Sequence, residues 1–266
     1  MGLALYTIRI LMESIYNQIT KIENSDQKAA LCTVVNTKGS TPRKQGAKML
    51  VMEDGKIFGT IGGGTLEQKV IENAIEVIKK KRAATFTHAL VHDHGMCCGG
   101  TVEIFIEPIM NRKKLYIFGA GHIGKSLGKF AKELDFNVSL IDERDDVFNG
   151  WDVRGYNVIH KKHKRAFKEL TFDENAFITV ITHNHAYDRE IIAHCNKQPH
   201  AYLGMIGSLR KVEIAKKTFR AGKILTEKEM KDIDWPMGVA IDVQTPEEIA
   251  ISILAKLIDV RSKLNK

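Results

Sequence analysis

The chain has 266 residues, of which 44% are hydrophobic and 27% are charged, so its composition excludes a disordered or fibrous protein. This length is enough for one large or two ordinary domains, each with its own core. The formal net charge of +8 is modest, and no dense basic stripe of the kind found in nucleic-acid-binding proteins is present, so we expect no nucleic-acid partner.

The first segment predicts an amphipathic helix, because apolar residues recur at helical spacing from Leu5 to Ile22. It has no cationic region followed by a small-residue cleavage site and no myristoylation pattern. No apolar run approaches the ~18 residues that a membrane span needs. The four cysteines do not form the framework of a secreted disulfide-rich protein. These features predict a cytoplasmic protein with no membrane partner.

Strands and a hairpin are predicted after this helix. The apolar stretch "AALCTVV" predicts a strand, and the Asp54-Gly55 pair between two apolar runs indicates a hairpin turn. Three consecutive glycines then precede a predicted helix, with Thr65 as N-cap and Gln68 completing a capping box. The glycines and the basic loop "TPRKQGAK" would offer free backbone N–H groups and cations, which suit a phosphate.

The run "HDHGMCCGG", residues 92–100, contains two adjacent cysteines between histidines and glycines. Adjacent thiols do not reproduce the spaced pairs of a closed zinc site, and they do not easily form a disulfide with each other. A single reactive thiol fits better, because Gly99 and Gly100 let a bulky ligand approach the backbone. The alternative is an inert cysteine that fills space in a packed loop.

A domain boundary is predicted after residue 110. The alternating stretch "TVEIFIEPI" predicts a strand, and the polar "MNRKK" that follows reads as a link. This divides the chain into a smaller α+β domain, residues 1–110, and an α/β domain, residues 111–266. In the second domain four apolar strands ("LYIFGA", "NVSLIDE", "AFITVITH", "AYLGMIG") alternate with helical stretches, which is typical of a parallel sheet with crossover helices. The last predicted helix starts at Pro246, with Thr245 as its cap.

The stretch "GAGHIGKS" satisfies two nucleotide-binding patterns. As G-x-G-x-x-G it follows a predicted strand, and Asp142 ends the next strand, where a ribose-binding acid belongs. As a P-loop it would use Lys125 for phosphate and Ser126 for magnesium. The placement of Asp142 favours the Rossmann interpretation. A further alternative is that the glycines only let a helix pack closely on a strand.

Two histidines follow the predicted strand "AFITVI". His183 and His185 should lie at the carboxyl end of that strand, which is the usual ligand-binding edge of an open α/β sheet. A neutral imidazole suits a metal or a substrate hydrogen bond. The alternative is that both are polar loop residues and that Asp188 caps the next helix.

Taken together, seven segments in order resemble the XdhC/CoxI family, the accessory factors of xanthine dehydrogenase and related molybdenum hydroxylases. The segments are "GSTPRKQGAKMLV", "DGKIFGTIGGGTLE", "GMCCGGTVEIFIEP", "IFGAGHIG", "THNHAYD", "YLGMIGSLRK" and "TPEEIAISILAKL". The resemblance implies an N-terminal domain followed by a Rossmann-like C-terminal domain. It also implies a factor that binds the molybdenum cofactor, of molybdopterin type, assists its sulfuration and delivers it to the apoenzyme.

The resemblance also assigns candidate site residues. Cys98 is implied as the catalytic thiol and metal ligand. The implied cofactor-binding residues are Ser40, Pro42, Arg43, Gly62, Gly63, Gly64, Glu67, Gly99, Gly100, Gly119, Gly121, Gly124, Asp142, His183, His185, Asp188, Gly207, Ser208 and Arg210. The chain departs from the family pattern at Ala240 and Asp242, where the family commonly has Asp and Gly. Cys97 stands where an aliphatic residue is common, so the motif expects only Cys98.

The implied function is that of a cofactor-binding chaperone rather than a turnover enzyme. Its implied partners are an apo molybdenum hydroxylase and a cysteine desulfurase, and a homodimer is expected. Three alternatives remain at this point. The glycine loop and Asp142 would also suit an NAD(P)-dependent oxidoreductase or the binding of another nucleotide. A P-loop nucleotidase would use Lys125 to bind phosphate. A non-catalytic scaffold would bind only protein partners.

Overall fold

The computed structural model describes residues 14–90 and 99–264. The chain divides into two compact units, Met1–Arg112 and Lys113–Lys266. The sequence-based boundary lies two residues earlier, after residue 110. Each unit is built around its own five-stranded sheet.

The first unit is an antiparallel sheet with helices, as expected for the smaller α+β domain. Its described elements are α1 (Ile15–Glu23), β1 (Ala29–Lys38), β2 (Lys48–Met52), β3 (Ile57–Gly59), α2 (Gly64–Lys80), β4 (Ala84–Ala89) and β5 (Thr101–Ile109). The strand order in the sheet is β3-β2-β1-β5-β4. The predicted hairpin at Asp54-Gly55 is confirmed, because β2 and β3 pair antiparallel around it. The N-terminal part of the predicted first helix lies outside the described residues.

Alternating residues of β1 cover the two faces of this sheet. One face carries Ala30, Cys32 and Val34, which pack with α2 through apolar side chains of that helix (Leu66, Val70, Ala74 and Val77). The opposite face forms a second cluster, in which α1 contributes Ile22 (with Ala29, Leu31, Leu50 and Met52 from the strands). A strand buried on both faces explains the nearly continuous apolar sequence "AALCTVV".

The predicted capping box at Thr65 is wrong. The helix α2 starts at Gly64, its N-cap is Gly63, and Thr65 lies inside the first turn. The reason is that Gly62, Gly63 and Gly64 all have positive φ angles, which only glycine adopts without strain. The chain therefore enters the helix through the glycines, before the threonine.

The second unit has a parallel sheet. Its described elements are β6 (Lys113–Phe118), α3 (His122–Glu133), β7 (Phe136–Ile141), β8 (Asn157–Ile159), α4 (His163–Ala166), β9 (Phe177–Val180), α5 (His185–Cys195), β10 (Tyr202–Met205), α6 (Leu209–Ala221), α7 (Glu227–Lys231) and α8 (Pro246–Leu264). The strand order is β8-β7-β6-β9-β10. Numbered within the unit, this order is 3-2-1-4-5, the order of a Rossmann fold. The predicted parallel α/β domain is confirmed.

Helices cover both faces of this sheet. On one face α5 and α6 pack against it through Ile191, Ile192 and Phe219. On the other face α3 and α8 form a separate core that includes Leu127 and Ile253. The predicted start of α8 is also confirmed, since Glu248 accepts hydrogen bonds from the Gln244 and Thr245 backbone N–H groups while the Thr245 hydroxyl accepts from Glu248 N.

Asn111 connects the end of the first unit to the last turn of α1 and to the segment that follows it. Its side-chain Nδ2 donates to the carbonyl oxygens of Ile22, Ser25 and Gln27 at 2.7, 2.9 and 2.8 Å. The next residue, Arg112, donates its backbone N–H to Glu23 O at 2.7 Å. The predicted link is therefore bonded to the first unit up to Arg112, and β6 begins directly after it.

None of the helices within residues 14–90 and 99–264 is long and apolar enough to cross a membrane.

Candidate functional site

Three loops of the first unit meet at one place. They are residues 39–43 after β1, residues 60–63 before α2, and residues 99–100 before β5. A β-carbon on Gly62 would lie 2.5 Å from Cγ of Pro42, and a β-carbon on Gly100 would overlap the carbonyl oxygen of Ser40. The structure therefore brings together Ser40, Pro42, Gly62 and Gly100, four of the residues that the sequence selected. We call residues 39–43, 60–63 and 99–100 the three-loop cluster.

Glu67 holds the glycine loop of this cluster from inside α2. Its Oε1 accepts hydrogen bonds from the backbone N–H groups of Ile61, Gly62 and Gly63 at 3.1, 3.3 and 2.9 Å, and from the Thr60 hydroxyl. Burial by itself would raise the pKa of the Glu67 carboxyl, but these hydrogen bonds outweigh burial and lower the pKa below its ordinary value. A carboxylate of the chain thus occupies the place that an anionic ligand would take at these N–H groups.

This contact corrects one expectation from the sequence. The N–H groups of Gly62 and Gly63 were expected to be free for a phosphate, but both already donate to Glu67. The side chain of Arg43 and the backbone of Gly99 are exposed beside the cluster. Cys98, the implied catalytic thiol and metal ligand, lies outside the described residues.

The glycine loop of the second unit is packed as a Rossmann loop. A β-carbon on Gly119 would overlap the carbonyl oxygen of Ile181, and a β-carbon on Gly124 would overlap that of Gly119. Gly121 is the N-cap of α3. The first glycine therefore lets the loop cross between two strands, and the third lets α3 pack against the loop, as the dinucleotide-binding pattern requires.

The P-loop alternative does not match the contacts of its two key residues. The Lys125 ammonium lies over the Trp151 ring, 5.6 Å from the ring centroid. The Ser126 hydroxyl donates to Glu247 Oε1 at 3.1 Å. Both side chains are therefore engaged with other parts of the second unit.

Asp142 directly follows β7 and is buried, with its side chain 4% exposed. Its Oδ1 accepts from Arg144 N and Nε at 3.1 and 3.0 Å, and its Oδ2 accepts from Ala120 N and Arg144 Nη2, each at 2.8 Å. Burial by itself would raise the pKa of the Asp142 carboxyl, but the hydrogen bonds from Arg144 and Ala120 hold the pKa below its ordinary value. A ribose hydroxyl would have to displace one of these donors.

A crevice lies at the carboxyl edge of this sheet, where the strand order reverses between β6 and β9. Three sequence-selected residues line it, namely Gly119, Asp142 and His183. The ring of His183 meets the ring of Tyr187 edge-on, with 5.9 Å between centroids. Ligands bind in open α/β folds at this kind of crevice, so it is the candidate site of the second unit.

His185 and Asp188 form a dyad at the start of α5. The His185 Nδ1 lies 3.1 Å from Asp188 Oδ2, and the other carboxylate oxygen accepts from the Thr182 hydroxyl and N–H at 2.6 and 3.2 Å. Asp188 is fully buried, whereas the side chain of His185 is 52% exposed. The helix N-cap is Asn184, whose side chain accepts from Ala186 N, so the interpretation of Asp188 as the cap is wrong. Asp188 instead orients the imidazole.

The remaining predicted residues lie after β10. Ser208 is the N-cap of α6, and its hydroxyl accepts from Lys211 N at 3.4 Å. Gly207 precedes the cap, and Arg210 is exposed in the first turn. Since β10 runs parallel to β9, these residues leave the sheet at the same edge as His183.

Sequence reasoning missed several residues that line the crevice or bound it. The crevice also contains Glu143, Lys161, His163 and Tyr187. Arg144 was missed as the partner of Asp142. The sequence feature that could have indicated this partner is an arginine two residues after the predicted ribose-binding acid. The short strand β8, which brings Lys161 to this edge, is too short to give a clear periodicity.

Within the described part of the chain, no group of three or more His, Cys, Asp or Glu residues is arranged to hold a metal ion. Cys32 and Cys195 are both buried, and burial raises the pKa of each thiol to about 12. These two thiols are therefore protonated at neutral pH and unsuited to metal binding or nucleophilic attack.

Both units match models of known protein families. Residues 115–257, more than half of the chain, match the XdhC Rossmann domain. Residues 23–96 match the XdhC and CoxI family. The chain belongs to the XdhC and CoxI family. This membership confirms the resemblance found in the sequence, including the Rossmann assignment of the second unit.

Among its relatives, the chain is 31% identical to Escherichia coli (strain K12) YqeB over 255 residues, which cover 94% of this chain and 46% of YqeB. It is 26% identical to a probable xanthine dehydrogenase subunit from Bacillus subtilis (strain 168), over 62% of this chain and 48% of that protein. The chain thus spans about half the length of these two relatives. It is 21% identical to the E. coli (strain K12) molybdenum cofactor insertion chaperone PaoD, over 89% of this chain and 85% of PaoD.

One solved structure extends the comparison to the fold. The crystal structure of a xanthine dehydrogenase from Bacillus halodurans superposes with a TM-score of 0.51 and 20% sequence identity, covering 94% of this chain and 96% of that one. At this identity the likeness shows a shared fold, and it extends over both units of the chain.

Proposed function

We propose that this protein is a maturation factor that binds the molybdenum cofactor and inserts it into a molybdenum hydroxylase such as xanthine dehydrogenase. The observation that carries the proposal is family membership over both units, together with likeness to a molybdenum cofactor insertion chaperone along most of its length. The cofactor is cargo in this proposal. The protein binds it and releases it, and no turnover is required.

The two candidate sites support this role in different ways. The three-loop cluster is held in shape by Glu67, by the close approach of Gly62 to the Pro42 ring and by that of Gly100 to the Ser40 carbonyl oxygen, so it is a preformed surface. The crevice of the second unit offers His183, and the exposed imidazole of His185 follows two residues later at the start of α5. A molybdopterin carries a pterin ring and a phosphate, which imidazoles and cations can bind through hydrogen bonds.

The finer proposal concerns sulfur. The factor supports replacement of an oxo ligand of molybdenum by a sulfido ligand. A cysteine desulfurase would carry the sulfur as a persulfide, a thiol reductant would release it as sulfide and form a disulfide, and the oxo ligand would take up two protons and leave as water. Cys98 is the thiol that contacts the metal or the transferred sulfur. A soft thiolate suits both. The buried, protonated state of Cys32 and Cys195 supports this choice by removing two of the four thiols from consideration. A homodimer is part of the same proposal.

The test is purification from a molybdenum-replete host, followed by oxidation and detection of the pterin fluorophore. We expect bound pterin and molybdenum, and we expect the loaded protein to activate a cofactor-free hydroxylase. Repeated absence of pterin, with added cofactor also failing to bind, would overturn the proposal. Binding of NADH without pterin would favour the oxidoreductase alternative.

A further inference from the structure

The last helix, α8, is apolar on its outer face as well as on the face that packs in the core. The inner face is buried with α3 through Ala250, Ile253 and Leu257. The outer face carries Ile251 and Ile258, which are 51% and 39% exposed. Seven residues span almost two helical turns, so these two isoleucines lie nearly in line along the helix. A surface helix normally carries polar residues on its outer face.

The loop before α8 places two more exposed apolar side chains beside this face. The Val239 backbone N–H donates to Ser252 O at 3.2 Å, and the Ser252 hydroxyl donates to Val239 O at 2.8 Å. The loop is thereby fixed alongside the first turns of the helix. Both Val239 and Ile241, which it carries, are exposed. We call Val239, Ile241, Ile251 and Ile258 the α8 patch.

The α8 patch differs from the other exposed apolar residues on helices. Among the helices within residues 14–90 and 99–264, only α6 also exposes two large apolar side chains, Leu209 and Ile214. These are five residues apart and therefore point to different sides of the helix. Soluble proteins expose a contiguous apolar surface chiefly where another molecule binds. The α8 patch is therefore a candidate interface.

The charges along this part of the chain have opposite signs at the two ends of the helix. Residues 239–255 contain three acids and no lysine or arginine, whereas residues 256–264 contain three basic residues and one acid. The charged residues, in order, are Asp242, Glu247, Glu248, Lys256, Asp259, Arg261 and Lys263. Two of the acids are fixed at the helix start, because Glu247 accepts from the Ser126 hydroxyl and Glu248 accepts from the Thr245 N–H. The surface is thus acidic before its centre and basic after it.

Such a surface is complementary to itself under a two-fold axis. With the axis between Leu254 and Ala255, an antiparallel second copy brings its own Ile258 opposite Ile251, and its basic end opposite the acidic end. The small side chain of Ala255 lets the two helices approach closely at the centre. A parallel pair would instead place like charges together. Exposed ion pairs add little affinity, but unlike charges select the orientation.

We infer that α8 and the loop before it form an interface with a second copy of this chain, in which the two α8 helices lie antiparallel. The inference rests on the homodimer of the proposed function and gives that dimer a surface. It does not depend on the cofactor, because no residue of the α8 patch belongs to the three-loop cluster or to the lining of the crevice.

Sedimentation velocity of the full chain over a range of concentrations tests the interface. We expect a species of twice the chain mass of 29.9 kDa. Ile251→Glu and Ile258→Glu should each raise the dimer dissociation constant at least about tenfold, because a carboxylate would be buried in an apolar contact. The matched control is Ile214→Glu on α6, where the parent residue is 50% exposed, and it should leave the dimer unchanged. Circular dichroism should show the same helix content in all variants.

An exchange of charges tests the antiparallel orientation. Glu247→Lys alone, or Lys263→Glu alone, would bring like charges together at both ends of the helix pair and should weaken the dimer. The two substitutions in one chain restore unlike charges and should recover most of the parent affinity. Recovery in the double variant would also show that the single variants do not fail by misfolding.

Three results would overturn the inference. The first is a chain that stays monomeric at every concentration, and the second is a dimer whose affinity is unchanged in both isoleucine variants. The third is a double charge variant that stays as weak as the single variants. Bound pterin and molybdenum are measured separately. A dimer without cofactor would contradict only the insertion role, and a cofactor-loaded monomer would contradict only this interface.

Discussion

The Glu67 carboxylate accepts the backbone N–H of Gly63 at 2.9 Å, four residues before it in the chain. The same oxygen holds the N–H groups of Ile61 and Gly62. One side chain inside the helix thus satisfies three consecutive backbone donors of the turn that leads into it, the last of which belongs to the N-cap.

Glu67→Ala should therefore loosen the glycine loop, at a cost of about 1–3 kcal/mol for unsatisfied donors. Hydrogen exchange followed by mass spectrometry should show faster exchange in peptides covering residues 60–66. Glu67→Gln keeps one acceptor oxygen and is the control, with a smaller effect. Equal protection in parent and Glu67→Ala would show that the glycines alone hold the loop.

The same contact predicts a pH dependence. The folded protein lowers the pKa of Glu67 below its unfolded value, so the carboxylate stabilises the fold above the unfolded pKa. This contribution is lost as the pH falls through the folded pKa. Exchange of the 60–66 peptides should rise on acidification in the parent, after correction for intrinsic exchange rates, and Glu67→Gln should lack this rise. A parallel pH response in both proteins would contradict the prediction.

Gly124→Ala should destabilise the Rossmann unit by several kcal/mol, because its β-carbon would overlap the carbonyl oxygen of Gly119 and the backbone would have to move. Gly128→Ala, one turn later in α3, would place its β-carbon 3.2 Å from the flexible side chain of Leu140. Its effect should stay within about 1 kcal/mol, because alanine also favours the helix. Both tryptophans belong to the second unit, so their fluorescence during urea unfolding separates the two variants. Equal midpoints would show that the loop adapts.

Asp188→Asn should change the tautomer of His185. In the parent, Asp188 accepts from Nδ1, which leaves Nε2 as an acceptor in the neutral ring. Nitrogen-detected NMR should show the Nδ1–H form in the parent and a shift toward the Nε2–H form in the variant. His200 is an internal control, because its Nδ1 lies 2.7 Å from the Gln198 carbonyl oxygen and should not respond. An unchanged His185 spectrum would show that Asp188 does not set the tautomer of His185.

Thiol labelling tests the assignment of the cysteines. Because burial raises the pKa of Cys32 and Cys195 to about 12, neither should react with a disulfide reagent in the native protein at neutral pH. Any label on the native protein should therefore be at Cys97 or Cys98, whereas the denatured chain should label at all four cysteines. Cys98→Ser should reduce bound molybdenum and hydroxylase activation, and Cys97→Ser should not. Equal behaviour of the two variants, at equal melting temperatures, would assign the role of this loop to its glycines.

Most strands and long helices of both units could be predicted from the sequence, because their apolar residues face a core on a regular period. The strands β4 and β8 could not. Residues 84–89 of β4 alternate partly buried and exposed positions, with only His88 buried and no strongly apolar pattern, and β8 has only three residues. Both strands form by pairing with a longer neighbouring strand, and the local sequence carries no information about that pairing.

The sequence likewise predicts some features of the candidate sites and not others. The glycines at 119, 121 and 124 could be predicted, since their spacing reflects a close backbone approach within one turn. The state of Asp142 could not, because it depends on an amide at Ala120 and on the rotamer of Arg144. The role of Glu67 was also hidden, since its partners bond to it only after the glycines have turned the chain back toward α2.

The hydrogen bonds of Asn111 set an order for folding during synthesis. The carbonyl groups of Ile22, Ser25 and Gln27, in and after the last turn of α1, are bonded by a side chain more than eighty positions further along the chain. Arg112 then adds the last bond, to Glu23. The strand β6 begins only at Lys113. On the ribosome, the first unit can thus complete its hydrogen bonds before the strands of the Rossmann sheet pair, so the two cores do not compete for the same nascent segment.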